Sequence, residues 1–198
     1  MARAMLIPAF TDPVSASQGV FRTALSALSE PGGEHSVPHE LTLDGLNAAS
    51  YALCLSLLDN DTPVWLSAAL DTAAVRSNLT FHCGCPLVTD RTQASFALLT
   101  ADDLNDLTGF KAGTDRDPDQ SCTLLVQLPA LSQGPATTWQ GPGIWRDRTV
   151  CLPVHGGFWK QREAHRFPQG LDVFFTAENR LMGLARSTRV LPTNQEGN

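Results

Sequence analysis

Apolar positions along the chain recur at two periods, and the clearest helical one comes first. Val20, Phe21, Ala24, Leu25 and Leu28 fall at i, i+1, i+4, i+5 and i+8, which aligns one stripe at 3.6 residues per turn. Asp12 can accept from free backbone N–H groups and Pro13 suits a first turn, so the helix should open there, with Ser17 as a second possible entry. Pro31, Gly32 and Gly33 end it. The stripe predicts that its Phe21 and Leu25 side packs on a sheet.

The remaining chain alternates between the two periods. Residues 34–43 hold Val37, Leu41 and Leu43 among prolines and polar residues, an irregular extended segment or edge strand. Residues 46–58 are apolar on most faces and predict a buried helix, closed by the turn residues 59–63 and followed by a short interior strand, Val64-Trp65-Leu66. Helical spacing returns over 70–81, and 94–99 reads as a strand. The acidic run 101–107 should open a short helix, because carboxylates favour its positive end. A polar loop over 109–121 runs into Cys122–Leu128, whose leucine and β-branched content marks the centre of a sheet.

Beyond it, 137–144 predicts a strand ending in a Gly-Pro-Gly turn, and 151–154 a short extended piece. Phe158-Trp159 begins a helical turn that Phe167-Pro168-Gln169-Gly170 closes. Segments 171–176 and 181–184 flank Ala177-Glu178-Asn179-Arg180 as a hairpin. The expected fold class is α/β: a layered mixed sheet with flanking helices, formed by residues 1–198 as a single domain whose 192–198 tail is frayed.

Composition narrows the function. A formal net charge of -6 disfavours duplex DNA and anionic membrane as main partners. Of fourteen Lys and Arg residues only Lys111 and Lys160 are lysines, a bias that suits oxyanion recognition and equally suits genome composition. Cys54, Cys83, Cys85, Cys122 and Cys151 are odd in number and several sit in apolar runs, as reduced thiols of a cytoplasmic protein would. No apolar run has the length of a signal peptide or a membrane span.

The run Asp12-Pro13-Val14, Ser17-Gln18, Phe21-Arg22 and Pro31-Gly32 resembles the opening of the PhnH family, subunits of the bacterial carbon-phosphorus lyase core complex. The likeness continues in Gly113-Thr114, Pro118, Ser121 and Thr123, in 137–144 and in Arg186-Ser187-Thr188-Arg189, covering about residues 8 to 190. It implies a fold like the large domain of pyridoxal-phosphate-dependent transferases without that cofactor, and a homodimer in isolation. It also implies partners of the PhnG, PhnI and PhnJ types. Together these displace adenine from ATP with an alkylphosphonate, and a radical SAM subunit later cleaves the carbon-phosphorus bond of the product.

The residues themselves offer several chemical readings. Gln18 and Arg22 form a polar ridge beside the first stripe, where the guanidinium could fork onto an oxyanion or simply face solvent. His82-Cys83-Gly84-Cys85 lacks the paired spacing of a closed zinc site, so no metal is expected, with His82 read as a hydrogen-bonded histidine and the cysteines as packing residues. Gly141-Pro142-Gly143 and His155-Gly156-Gly157 read as turns. Neither Lys111 nor Lys160 has a cofactor-anchoring context, so no pyridoxal phosphate or other cofactor is expected. Arg186 and Arg189 would diverge on an extended chain but converge across a turn through Ser187 and Thr188.

Two functional expectations follow. In the first, the chain is an accessory and interaction subunit without a catalytic constellation of its own, docking through apolar and arginine-bearing surface that includes Trp139, Trp145 and Trp159. In the alternative, the chain itself binds a phosphonate, ATP or ribosyl triphosphate with some of Arg22, His82, Arg162, Arg186 and Arg189, under loop 109–121 as a lid.

Overall fold

The computed structural model describes residues 5–192. In chain order the strands are β1 (Glu34–Ser36), β2 (Val64–Leu66), β3 (Leu87–Val88), β4 (Phe96–Thr100), β5 (Thr123–Gln127), β6 (Ala136–Gln140), β7 (Arg148–Cys151), β8 (Asp172–Ala177), β9 (Arg180–Leu184) and β10 (Arg189–Pro192). The helices are α1 (Pro13–Ser29), α2 (Ala48–Leu57), α3 (Ala73–His82) and α4 (Gly156–Glu163). Seven strands form a mixed sheet in the order β1-β9-β8-β5-β4-β2-β3, and β10-β6-β7 form a second, antiparallel sheet. From β3 to β8 the neighbours run parallel, while β9 is antiparallel to β8 and β1 to β9. This is the mixed α/β architecture expected, with the Cys122–Leu128 segment supplying its central strand.

Parallel strands covered on both faces must be apolar on both, and β4, β5 and β8 read FALLT, TLLVQ and DVFFTA accordingly. Leu98, Leu125 and Phe174 point to one face, where α1, α2 and α3 cover them. Leu99, Leu124, Val126, Val173 and Phe175 point to the other and meet Trp139 and Phe158, from the small sheet and α4. The cores on the two faces share only this sheet as their wall.

The helix starts follow from side-chain caps. Asp12 accepts from the Ser15 amide at 3.2 Å, Asn47 from the Ser50 amide at 2.8 Å and Thr72 from the Val75 amide at 3.1 Å. The acidic run does turn, as a 3-10 segment at Ala101–Asn105, with the Asp103 carboxylate accepting from the Thr100 amide and hydroxyl, both at 2.7 Å. The hairpin about 177–180 is also present, joining β8 to β9.

α1 begins at Pro13, but only the Val20, Ala24 and Leu28 part of the stripe turns inward and its Phe21 and Leu25 edge does not. Val20, Ala24 and Ala27 are buried, whereas Phe21 and Leu25 are 52% and 58% exposed. The helix lies on β9 and α2 rather than with that side on the central strand. Close approach to β9 selects the small residues, and the large ones turn outward. Trp139 is likewise a correction: it is fully buried, with its indole N–H donating to Thr137 Oγ1 at 2.9 Å. Trp145 is 87% exposed and Trp159 half-buried. Of the tail expected to fray, residues 193–198 lie outside the described residues.

Candidate functional site

α4 opens at His155, whose Nδ1 accepts from the Gly157 amide at 3.1 Å, so the His-Gly-Gly segment starts a helix rather than making a free turn. Burial of Phe158 under the helix sets its rotation and carries Arg162 inward. Arg162 donates through Nη1 to the Thr188 carbonyl at 2.7 Å and through Nη2 to the Ala185 carbonyl. From the opposite side, Arg186 donates through Nε to Asp172 Oδ2 at 3.0 Å and through Nη2 to the same oxygen, while Nη1 reaches the Pro118 carbonyl. The Arg186 amide adds a bond to Asp172 Oδ1 at 2.7 Å. Two guanidinium groups therefore pin the β9–β10 turn from both sides, and the Thr188 amide closes it on Ala185 at 2.9 Å.

A cleft of about 450 Å³ opens between the end of α4, segment 165–171 and this turn, lined by Arg162, His165, Arg166, Arg186, Thr188 and Arg189 among others. Gly170 permits the close fit: its φ is +145°, and a Cβ there would lie 3.1 Å from that of Arg186. Thr188 is 2% exposed, yet its hydroxyl has no hydrogen-bond partner among the described residues, nor has Arg162 Nε. Burial pushes the Arg162 guanidinium down to about 10, which still leaves it cationic at neutral pH. Arg166, Arg189 and His165 are exposed. Four arginines set against Asp172 and Glu163 leave two positive charges here, on a chain whose net charge is -6. Such an arrangement can fix an oxyanion by charge and by directed N–H and O–H donors.

Of the five residues the sequence offered, the structure gathers Arg162, Arg186 and Arg189 in this cleft. Arg22 is exposed on α1. His82 closes α3 and donates from Nε2 to the Ile7 carbonyl at 2.9 Å, the hydrogen-bonded role expected of it. Loop 109–121 contributes no lining residue. It is tied to the segment beside the cleft, by Gly170 N to the Ala112 carbonyl at 2.8 Å and Gln169 Nε2 to Asp115 at 3.0 Å, and does not cover the opening.

Family membership decides what such a cleft is set in. The family described as "Bacterial phosphonate metabolism protein (PhnH)" matches residues 8–191. The chain belongs to the PhnH family. It is 34% identical over 189 residues to "Alpha-D-ribose 1-methylphosphonate 5-triphosphate synthase subunit PhnH" of Rhizobium meliloti (strain 1021), covering 92% of this chain and 94% of that protein. It is also 27% identical over 177 residues to "Putative C-P lyase subunit protein HtxG" of Stutzerimonas stutzeri, covering 87% and 85% respectively. The PhnH match includes the cleft from Arg162 to Val190.

The PhnH-family chain also holds features that spacing did not offer as ligands. Arg166, His165 and Thr188 join the cleft because segment 165–171 folds against the β9–β10 turn, a contact between distant parts of the chain. A second cavity of about 620 Å³ lies at the carboxyl ends of β5 and β8, bounded by Glu40, Asn47, Gln127 and Glu178. Its amides are engaged internally: Gln127 accepts from Asn47 N at 2.6 Å and donates to the Gly45 carbonyl at 2.8 Å. Cys54, Cys85 and Cys122 are buried packing residues, and burial pushes the Cys122 thiol up to about 12. Lys111 and Lys160 are exposed, in the 109–121 loop and on α4.

Proposed function

We propose that this chain is a docking subunit of a phosphonate-processing complex, the assembly that transfers the ribose triphosphate part of ATP to an alkylphosphonate. Membership of PhnH and the printed names of the two relatives support the complex. The observation that carries the docking role is the outer face of α1, where Val14, Phe21 and Leu25 are 69%, 52% and 58% exposed on a capped, well-formed helix. These residues are seven and four apart, the spacing of a seam that another helix can cover. The exposed Trp145 adds a second apolar anchor of the kind enriched at interfaces.

The partners in this reading are subunits of the PhnG, PhnI and PhnJ types, and a second copy of the chain in their absence. The compartment is the cytoplasm, which suits five unpaired cysteines. The resemblance to a transferase large domain belongs to the same reading, supported by a parallel sheet bordered by one antiparallel strand beyond β8.

Co-expression with the partner subunits and affinity purification tests it. The expected result is copurification of the unaltered chain and its loss in Phe21→Gln/Leu25→Gln. A chain that is strictly monomeric alone and absent from the purified complex would rule the docking role out.

A further inference from the structure

We propose that the cleft between α4 and the β9–β10 turn binds a tetrahedral phosphorus oxyanion, with Arg166 and Arg189 as its charged ligands and Thr188 Oγ1 as its buried donor. The four arginines there divide into two kinds. Arg162 donates from both Nη atoms to the carbonyls of Thr188 and Ala185, and Arg186 donates to Asp172 and the Pro118 carbonyl, so these two build the turn. The guanidinium groups of Arg166 and Arg189 have no hydrogen-bond or ion-pair partner among the described residues, and both residues line the same opening.

Two other residues that line the cleft carry buried donors with no partner among the described residues. Thr188 is 2% exposed, and an unsatisfied hydroxyl at that depth is costly unless something arrives to accept from it. Arg162 Nε adds a second such donor. The surplus of two positive charges balances a doubly ionised phosphonate or phosphate group. The cleft's volume, about 450 Å³, exceeds what one such group fills, which leaves room for the substituent it carries. Phe167, 70% exposed at the rim, offers that substituent an apolar face.

This site takes its ligand without any partner chain, so it stands or falls separately from the docking role. Calorimetric titration of the lone full-length chain with methylphosphonate, inorganic phosphate, tripolyphosphate and ATP tests it, with acetate as a control monoanion. Saturable binding of at least one phosphorus oxyanion is expected, weakened about tenfold or more in Arg166→Gln/Arg189→Gln. Thr188→Val should weaken it by a smaller factor, and Arg22→Gln should leave it unchanged. Tightest binding of methylphosphonate assigns the site to the free phosphonate, and tightest binding of tripolyphosphate or ATP assigns it to a phosphate chain. The exposed arginines can be replaced without loss of fold, checked by circular dichroism. Absence of saturable binding at millimolar ligand, or binding indifferent to the double variant, overturns the proposal.

Discussion

A Cβ on Gly183 of β9 would lie 2.3 Å from the carbonyl oxygen of Ala27 on α1. The helix backbone thus rests directly on the strand where Gly183 has no side chain to hold them apart, and the Gly32 amide bonds to the Gly183 carbonyl at 3.1 Å beside the contact. Gly183→Ala must push α1 off the sheet and should cost about 1–3 kcal/mol in urea unfolding. Gly156→Ala, in the first turn of α4 where an added Cβ would meet none of the described residues within 4 Å, should be neutral or gain about 0.5–1 kcal/mol. Equal effects from the two would mean that the close approach does not matter.

The same contact explains why Phe21 and Leu25 are free to serve an interface. Since both are more than half exposed, Phe21→Gln/Leu25→Gln should change the stability of the isolated chain by no more than about 0.5 kcal/mol. Leu53→Ala, at a fully buried position of α2, should lose about 2–5 kcal/mol. A large loss in the double variant under dilute, monomeric conditions would show that these side chains are covered by the chain itself.

How much of this was legible in the sequence depended on how local the cause was. The start of α1, the buried α2, the central β5 and the β8–β9 hairpin follow from caps, period and turn residues that act within a few positions. The facing of α1 was not legible, because periodicity ranks side chains by hydrophobicity whereas contact with Gly183 selects small size. β10 was missed for a related reason: ARSTRV carries no strand pattern and is held by pairing Val190 with Trp139 across the small sheet. In the cleft, Arg186 and Arg189 were suggested by a turn in their own neighbourhood. Arg166 and Thr188 needed the tertiary fold, and so did the finding that Arg162 and Arg186 are occupied by the backbone.

Arg186 and Asp172, each with 18% of its side chain exposed, should prove to be a structural pair. Arg186→Ala would strand the carboxylate and release the Pro118 carbonyl and the loop that carries it. Discounted for partial exposure, the expected loss is about 2 kcal/mol. Lysine should recover little of it, since a single ammonium cannot reach both Asp172 and Pro118. Asp172→Asn added to Arg186→Ala should restore part of the loss, because the uncompensated charge is gone. Full rescue by Arg186→Lys would argue that only charge is needed.

His39 should give the fold a specific weakness to acid. Its ring lies edge-on to Phe10 at 4.9 Å and 5.9 Å from the Tyr51 ring, and its Nε2 has no hydrogen-bond partner among the described residues. Burial holds its pKa below the usual 6.5, so the folded chain resists a proton that the unfolded chain accepts. More protons on the unfolded side mean that stability rises with pH, and it is therefore lost as pH falls from 6.5 toward the lowered folded value. Unfolding free energies of the unaltered chain and of His39→Gln, measured from about pH 7.5 to about pH 5, should diverge on that account. The unaltered chain should lose more stability than the variant over the same interval. Parallel curves would show that the buried imidazole keeps its ordinary affinity for protons.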